Sequence, residues 1–205
     1  MNPDSKSEAR IQPLRERQRQ ETTRAIVEAA EEVFAKRGPG EGRIEEIAQR
    51  AGVSVGTVYN HFEDRDALLR ELLDRRKQEL IRKLDAALEQ SRGEPFRRQL
   101  QGFTRTLFEH FEAHREFLAI SFQIEAKNIE QPTETMRELK ARVESLVRRG
   151  LEQKALRKLG HELWPTMLLG AVRAVLVHEL RNPGKLRVGE RADAVVDFFL
   201  GGAGG

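Results

Sequence analysis

Between Ser54 and His61 the chain gathers side chains that hydrogen-bond rather than react: Ser54, Thr57, Tyr59, Asn60 and His61, with Val55 and Gly56 among them and Arg65 just beyond. Hydroxyls, an amide and an imidazole at this density suit phosphate oxygens and the edges of bases, whereas covalent catalysis needs a nucleophile beside an oriented base. No arrangement of the second kind stands out. Cysteine is absent, which excludes thiolate chemistry and Cys-ligated zinc or iron–sulfur sites. No phosphate-binding glycine loop, nucleotide fingerprint or triad is visible either. His110 and His114, four apart on one predicted helix face with Glu116 nearby, have a spacing that can share a metal. A metal site needs three or four ligands, and nothing visible completes this one. The reading is therefore no enzyme, no cofactor and no metal, with the histidines as polar pocket or surface residues.

Two short helices crossing at a tight turn would present the polar groups. In the stretch IEEIAQRAGVSVGTVYNHF, residues 44–62, the residues Ile44, Ile47, Ala48 and Ala51 fall on one helical face, and Val58 and Phe62 repeat that spacing after the turn. Gly52 sits where the first helix ends and the backbone needs positive φ. Val53 plugs the angle between the helices. Ser54 is placed to cap the second helix, leaving Val55, Gly56 and Thr57 in its first turn with outward N–H groups, and that end of a helix attracts phosphate. If this second helix enters a major groove, Ser54, Val55, Gly56 and Asn60 lie near base edges. Thr57, Tyr59, His61 and Arg65 then reach backbone phosphates, with Arg24 and Arg43 from neighbouring elements.

Gly52-Val53-Ser54, then Gly56-Thr57-Val58-Tyr59-Asn60-His61-Phe62, then Arg65 and Leu68-Leu69, resemble the DNA-binding signature of the tetracycline-repressor (TetR-like) family of bacterial transcription regulators. The likeness continues upstream through Arg24-Ala25-Ile26-Val27, Ala30 and Phe34, covering roughly residues 22–69. It supports phosphate contacts for Thr57, Tyr59 and His61 in particular. Two positions depart from the common pattern. Val55 stands where lysine is frequent, which removes one basic contact. The segment Gly38-Pro39-Gly40-Glu41-Gly42-Arg43 lacks the usual threonine before the second helix.

A chain of 205 residues accommodates a small module joined to a larger one. Leu, Ala, Glu, Arg and Gln dominate and alternating β-branched runs are few, so an all-α fold of about nine helices is expected. The N-terminus has no secretion-type apolar stretch and no apolar run suggests a membrane span, so the expectation is a cytoplasmic protein without a membrane partner. The formal charge is +3 and the pI about 9.4. Residues 1–65, however, hold 11 Lys and Arg against 12 Asp and Glu. Charge is segregated rather than in excess: bases crowd positions 6–24, and acids follow at Glu28, Glu31, Glu32, Glu45 and Glu46.

The organisation expected is a flexible basic arm over residues 1–20, with Pro13 able to open an extension of the first helix. A helix-turn-helix module over 21–66 and a helical ligand-binding and dimerisation domain over 67–205 follow. Helices are expected to Arg37, from about Asp64 to Gln90, and over about 96–113, 115–128, 133–157, 162–182 and 189–200, with a flexible glycine tail. Residues 96–122 hold six of the ten phenylalanines, with Leu107, Leu118 and Ile120 among them and Ile124 just beyond. An ordinary core accounts for them. The family resemblance adds a small-molecule pocket, for which Phe103, Leu107, Phe111, Phe122, Trp164 and Arg173 are candidates, suited to an apolar or aromatic inducer. Residues 163–180 are apolar around most of a helix, and the resemblance implies that the last two helices pair with their symmetry mates. Leu169, Gly170, Arg173, Ala174, Val177, Val195 and Phe199 are the expected dimer contacts. The function implied is a repressor released from a palindromic operator on duplex DNA by a small ligand. The alternative is a helical protein–protein adaptor that keeps the helix-turn-helix as a structural unit.

Overall fold

The computed structural model describes the backbone of residues 4–127, 134–158, 160–182, 184 and 187–203, with side chains from residue 14 onward except 123–127, 135 and 203. Among the described residues there are nine α-helices and no strand: α1 (Asp4–Arg37), α2 (Ile44–Ala51), α3 (Val55–His61), α4 (Arg65–Gln90), α5 (Phe96–Ala113), α6 (Arg115–Lys127), α7 (Glu134–Glu152), α8 (Trp164–Arg181) and α9 (Val188–Ala203). The chain divides into two compact units, residues 1–75 and 76–205. The sequence places that division after residue 66. The structure places it inside α4, and the first turns of α4, with Leu68 and Leu72 fully buried, fall on the side of the first unit.

In the first unit α1 packs on α2 through the expected stripe, with Ile26, Ala30, Val33 and Phe34 all fully buried, and α2 contributes Ile44, Ile47 and Ala48. Gly52 then adopts φ 69° and ψ 29°. That left-handed step lets its N–H reach the Gln49 carbonyl at 3.3 Å while Val53 N–H reaches Ala48 at 3.0 Å, closing the end of α2. Residues 4–20 are helix continuous with the rest of α1 rather than a separate arm, and Pro13 lies within it. Leu14, Glu16 and the alternating Arg and Gln residues up to Gln20 are good helix formers, and Gln20 bonds to Glu16 one turn back at 3.2 Å. The side chains of Lys6 and Arg10 lie outside the described residues.

The core of the second unit is built from Phe96, Leu100, Phe103, Leu107 and Phe108 of α5. Trp164, Leu168, Val172 and Leu176 of α8, Val143, Leu146 and Val147 of α7, and Val195, Val196 and Phe199 of α9 close around them. Helix α7 stops at Glu152 rather than near residue 157. A Cβ on Gly150 would stand 2.7 Å from Leu156 Cδ1 and 2.9 Å from the Phe96 ring, so its absence lets the chain fold back, with Lys154 at φ 57° and Ala155 N–H bonded to Gly150 O at 2.9 Å. Helix α9 takes in Gly201 and Gly202 of the expected flexible tail, whereas Gly204 and Gly205 lie outside the described residues, as do residues 128 and 133 at the edges of two expected helices. By length and composition the segment His161–Arg181 does meet the requirement for a membrane span, contrary to the sequence reading. Its Leu168, Val172 and Leu176 nevertheless belong to the core of the second unit.

Gly42 distinguishes crowding from permissiveness in the loop before α2. A Cβ there would lie 2.5 Å from Phe34 Cδ1, whereas one on Gly40 would meet nothing. Gly42→Ala is expected to lose about 1–3 kcal/mol of unfolding free energy in urea, and Gly40→Ala to stay within about 0.5 kcal/mol. Equal effects would contradict the packing at Phe34.

Candidate nucleic-acid interface

Helix α3 has seven residues, too few to hold together alone, so its position depends on its two ends. At the start, Ser54 is extended (φ −75°, ψ 155°) and its Oγ accepts from Thr57 N–H at 3.0 Å, with Thr57 Oγ1 at 2.8 Å. At the far end, Phe62 N–H bonds to Val58 O at 2.9 Å and the Phe62 ring is buried. Between them Val58 is the only buried residue of the helix. One anchored residue fixes the rotation: Tyr59 is 52% exposed, Asn60 and Gly56 are exposed, and Val55, Thr57 and His61 are half-buried.

His61 is held from α1. Its Nδ1 lies 2.8 Å from Thr23 Oγ1, and that hydroxyl also sits 2.8 Å from the Arg19 carbonyl, to which it donates. The threonine oxygen is then an acceptor toward the ring, so His61 carries its proton on Nδ1 and leaves Nε2 as the atom that gains a proton. Burial, and then the neighbouring Arg19 charge, lower its pKa below the usual imidazole value. Thr23 was not legible as a site residue, since nothing in the sequence links it to a histidine 38 positions later.

Gly56 has a different significance. A Cβ there would find only Ser54 Oγ, at an ordinary 3.7 Å, so the chain's own packing does not require glycine. A glycine inside a helix costs roughly 0.5–1 kcal/mol against alanine.

The three basic candidates differ. Arg43 precedes α2 with extended backbone (φ −92°, ψ 138°), makes no side-chain cap, and is exposed, in keeping with the missing threonine. Arg24 is exposed and sits 3.7 Å from Glu28, a pairing of little strength in water. Arg65 is committed within the unit, donating to the Gly40 carbonyl and pairing with Asp66 at 3.0 Å, so it ties the loop before α2 to the start of α4. The acids that leave this unit without a positive excess are partly engaged with its own bases: Glu32 with Arg50 at 2.6 Å and Glu46 with Arg37 at 3.4 Å.

The second unit separates the other expected residues. Phe103 and Leu107 are core, and Trp164 is buried with its Nε1 donating to Arg157 O at 3.1 Å. Phe111 and Phe122 are half-buried, and Arg173 lies over the Phe122 ring at 4.5 Å. A cavity of about 240 Å³ is lined instead by Phe108, Phe111, Leu118, Leu176, Leu180, Glu112, Arg115, Glu179, Gly184 and Arg191, so of the six expected pocket residues only Phe111 lines it. Arg191 and Glu179 form a pair at 3.0 Å beside this cavity, both nearly buried.

Of the expected dimer residues, Gly170, Arg173 and Ala174 are exposed and Leu169 and Val177 half-buried, whereas Val195 and Phe199 face the chain's own core. The phase of α9 turns Phe198 outward instead, at 75% exposure, alongside Met167 of α8 at 50%. Glu116 is exposed and takes no part with the histidines; Glu79 of α4 approaches them. Burial alone would raise the Glu79 carboxyl, but hydrogen bonds from Lys83 and His114 outweigh it and hold it at about 2. Burial, and then the His114 charge, push His110 down to about 4, so its ring is neutral.

Comparison with known proteins bears on the whole chain unequally. Residues 26–72 match the family described as bacterial regulatory proteins, tetR family. Over 55 residues the chain is 46% identical to the HTH-type transcriptional regulator TtgR of Pseudomonas putida, a stretch covering 27% of this chain and 26% of that one. Over 66 residues it is 41% identical to the HTH-type transcriptional repressor Rv3405c of Mycobacterium tuberculosis, covering 32% and 35%. The chain thus spans only about a quarter to a third of the length of the curated relatives it matches. In fold it resembles the ketosteroid transcriptional regulator KstR2 of Mycobacterium tuberculosis (TM-score 0.72, 21% identity, 89% of this chain and 95% of that one). It also resembles the regulator FadR of Bacillus subtilis in complex with stearoyl-CoA (TM-score 0.72, 20% identity, 87% and 97%).

The Ser54 cap is testable without any partner. Ser54→Ala is expected to cost about 1 kcal/mol of unfolding free energy in denaturant titrations, while Tyr59→Ala, altering a side chain that is half in water, stays within about 0.5 kcal/mol. A reversed ranking would contradict the anchoring of α3 described above.

Proposed function

We propose, from the premise that residues 26–72 belong to the tetR family of bacterial regulatory proteins, that this chain is a sequence-specific DNA-binding transcriptional regulator. It is a repressor that occupies a palindromic operator as a homodimer in the cytoplasm and leaves it when a small, largely apolar ligand binds. The exposed face of α3 carries the reading: a capped N-terminus, a glycine that the fold does not need, and Tyr59 and Asn60 directed to solvent by the single anchor Val58. Ser54, Val55, Gly56 and Asn60 meet base edges, and Thr57, Tyr59, His61, Arg24 and Arg43 hold phosphates. Arg65 positions the module rather than the DNA.

The outward stripe of α8 and α9, Met167, Gly170, Ala174 and Phe198, supports association with a second copy, because exposed apolar side chains at helical spacing are covered in a stable assembly. Two copies related by a two-fold axis read two half-sites one or more helical turns apart. The cavity between α5, α6, α8 and α9 supports the ligand: its aromatic and leucine walls suit an apolar body, while the guanidinium groups on its lining are engaged within the fold, Arg115 by the Glu179 and Leu180 carbonyls and Arg191 by Glu179 and Glu112. Its 240 Å³ is below the roughly 300–1,000 Å³ of common ligand sites, so binding opens it. A preference of 1–3 kcal/mol for one conformation of the chain changes operator affinity about 5–150-fold, and α4, which runs from one unit into the other, is the element placed to transmit it.

Binding of the purified chain to duplexes from the DNA flanking its own gene, against random duplex at one salt concentration, tests the proposal. A specific site is expected to bind about 10³-fold or more tightly than random sequence. Gly56→Ala keeps or raises stability yet weakens that site, and Phe198→Glu yields monomers in sedimentation and loses the cooperative complex. Equal affinity for all duplexes ends the regulator reading.

A further inference from the structure

His110 is a fully buried side chain whose two ring nitrogens have no hydrogen-bond partner among the described residues, and a polar group orphaned in this way is costly to bury. It lies beside two other groups that ligate metals. His114, one turn further along α5, places Nε2 3.2 Å from Glu79 Oε1, and His110 Nδ1 stands 4.0 Å from the same oxygen. One ligand atom from each of the three lies within 4.8 Å of the others. In a tetrahedral site with metal–ligand bonds of about 2.0–2.1 Å, ligand atoms are separated by roughly 3.3 Å. The His114–Glu79 distance already has that value, and closing the widest separation in the cluster from 4.8 Å needs a movement of roughly 1.5 Å, within reach of side-chain rotation.

From this juxtaposition of a buried, unpartnered His110 with His114 and Glu79, we infer a binding site for one divalent first-row transition cation of the zinc type in the second unit. Two imidazoles and one carboxylate are the donor set that zinc accepts, with a fourth position left for water or for an acidic group on a small molecule. The surroundings also oppose the ion in part. Lys83 Nζ sits 2.7 Å from Glu79 Oε1 and Arg76 Nη1 3.1 Å from Oε2. Lys83 is half exposed and can move into water when a cation arrives. Arg76 holds the other oxygen and so orients the carboxylate, as an outer partner of a ligand does. The rings of Phe111 and Phe117 stand steeply inclined to His110 at 5.7 and 6.1 Å between centroids, and the His110 side chain is fully shielded from water.

The test is titration of the chelator-treated full-length protein with Zn²⁺ against a competing chromophoric chelator, repeated with Co²⁺ to read its coordination from the visible spectrum. One ion per chain, a tetrahedral cobalt spectrum and a rise in melting temperature with Zn²⁺ are expected. Glu79→Gln, which keeps the shape of the side chain, and His114→Ala, checked for folding by circular dichroism, are each expected to weaken binding by at least about tenfold and to abolish the thermal shift. His178→Ala and His161→Ala, at exposed positions elsewhere, leave both unchanged. Failure to bind Zn²⁺, or binding that Glu79→Gln and His114→Ala leave intact, overturns the site.

Discussion

The hydrogen bond from Thr57 N–H to Ser54 Oγ, together with the burial of Val58, is what the rest of this molecule's surface chemistry depends on. A helix of seven residues has no cooperative stability of its own, so its direction is imposed at its cap and its rotation by its one inward side chain. Gly52 makes both possible, because its left-handed backbone ends α2 abruptly and delivers Ser54 in the extended conformation a cap requires. Remove that step and Tyr59, Asn60 and Gly56 no longer share a defined face. The same economy appears at His61, oriented by the Thr23 hydroxyl of α1. The surface of α3 is therefore shaped by α1 and α2.

Much of this was legible in the sequence because it is local. The i, i+3, i+4 spacing of Ile44, Ile47 and Ala48, the positive φ of Gly52 and the cap at Ser54 each rest on residues within one or two turns of one another, and each is found as expected. What was not legible is what tertiary packing decides. The phase of α9 puts Val195 and Phe199 inward and Phe198 outward, a choice between adjacent apolar residues that periodicity alone does not make. Glu79 meets His110 and His114 because α4 and α5 bring positions 31 and 35 residues apart together, whereas Glu116, near in sequence, is carried away on α6. The aromatic cluster of residues 96–122 is mostly core, and the cavity forms where α8 and α9 add Leu176, Glu179 and Arg191.

Charge illustrates the same distinction. Counting residues 1–65 suggests a module without attraction for a polyanion, but Glu32 and Glu46 are engaged by Arg50 and Arg37, while Arg43 keeps an exposed side chain at the start of α2. Placement, rather than total, decides the field that a partner meets.

The most direct measurement is selection of bound duplexes from a random pool by the purified chain. The account predicts enrichment of one sequence written as an inverted repeat, with half-sites separated by one or more helical turns, and loss of that enrichment in Tyr59→Ala. A pool that remains random after selection, or one enriched identically by the variant, would contradict it.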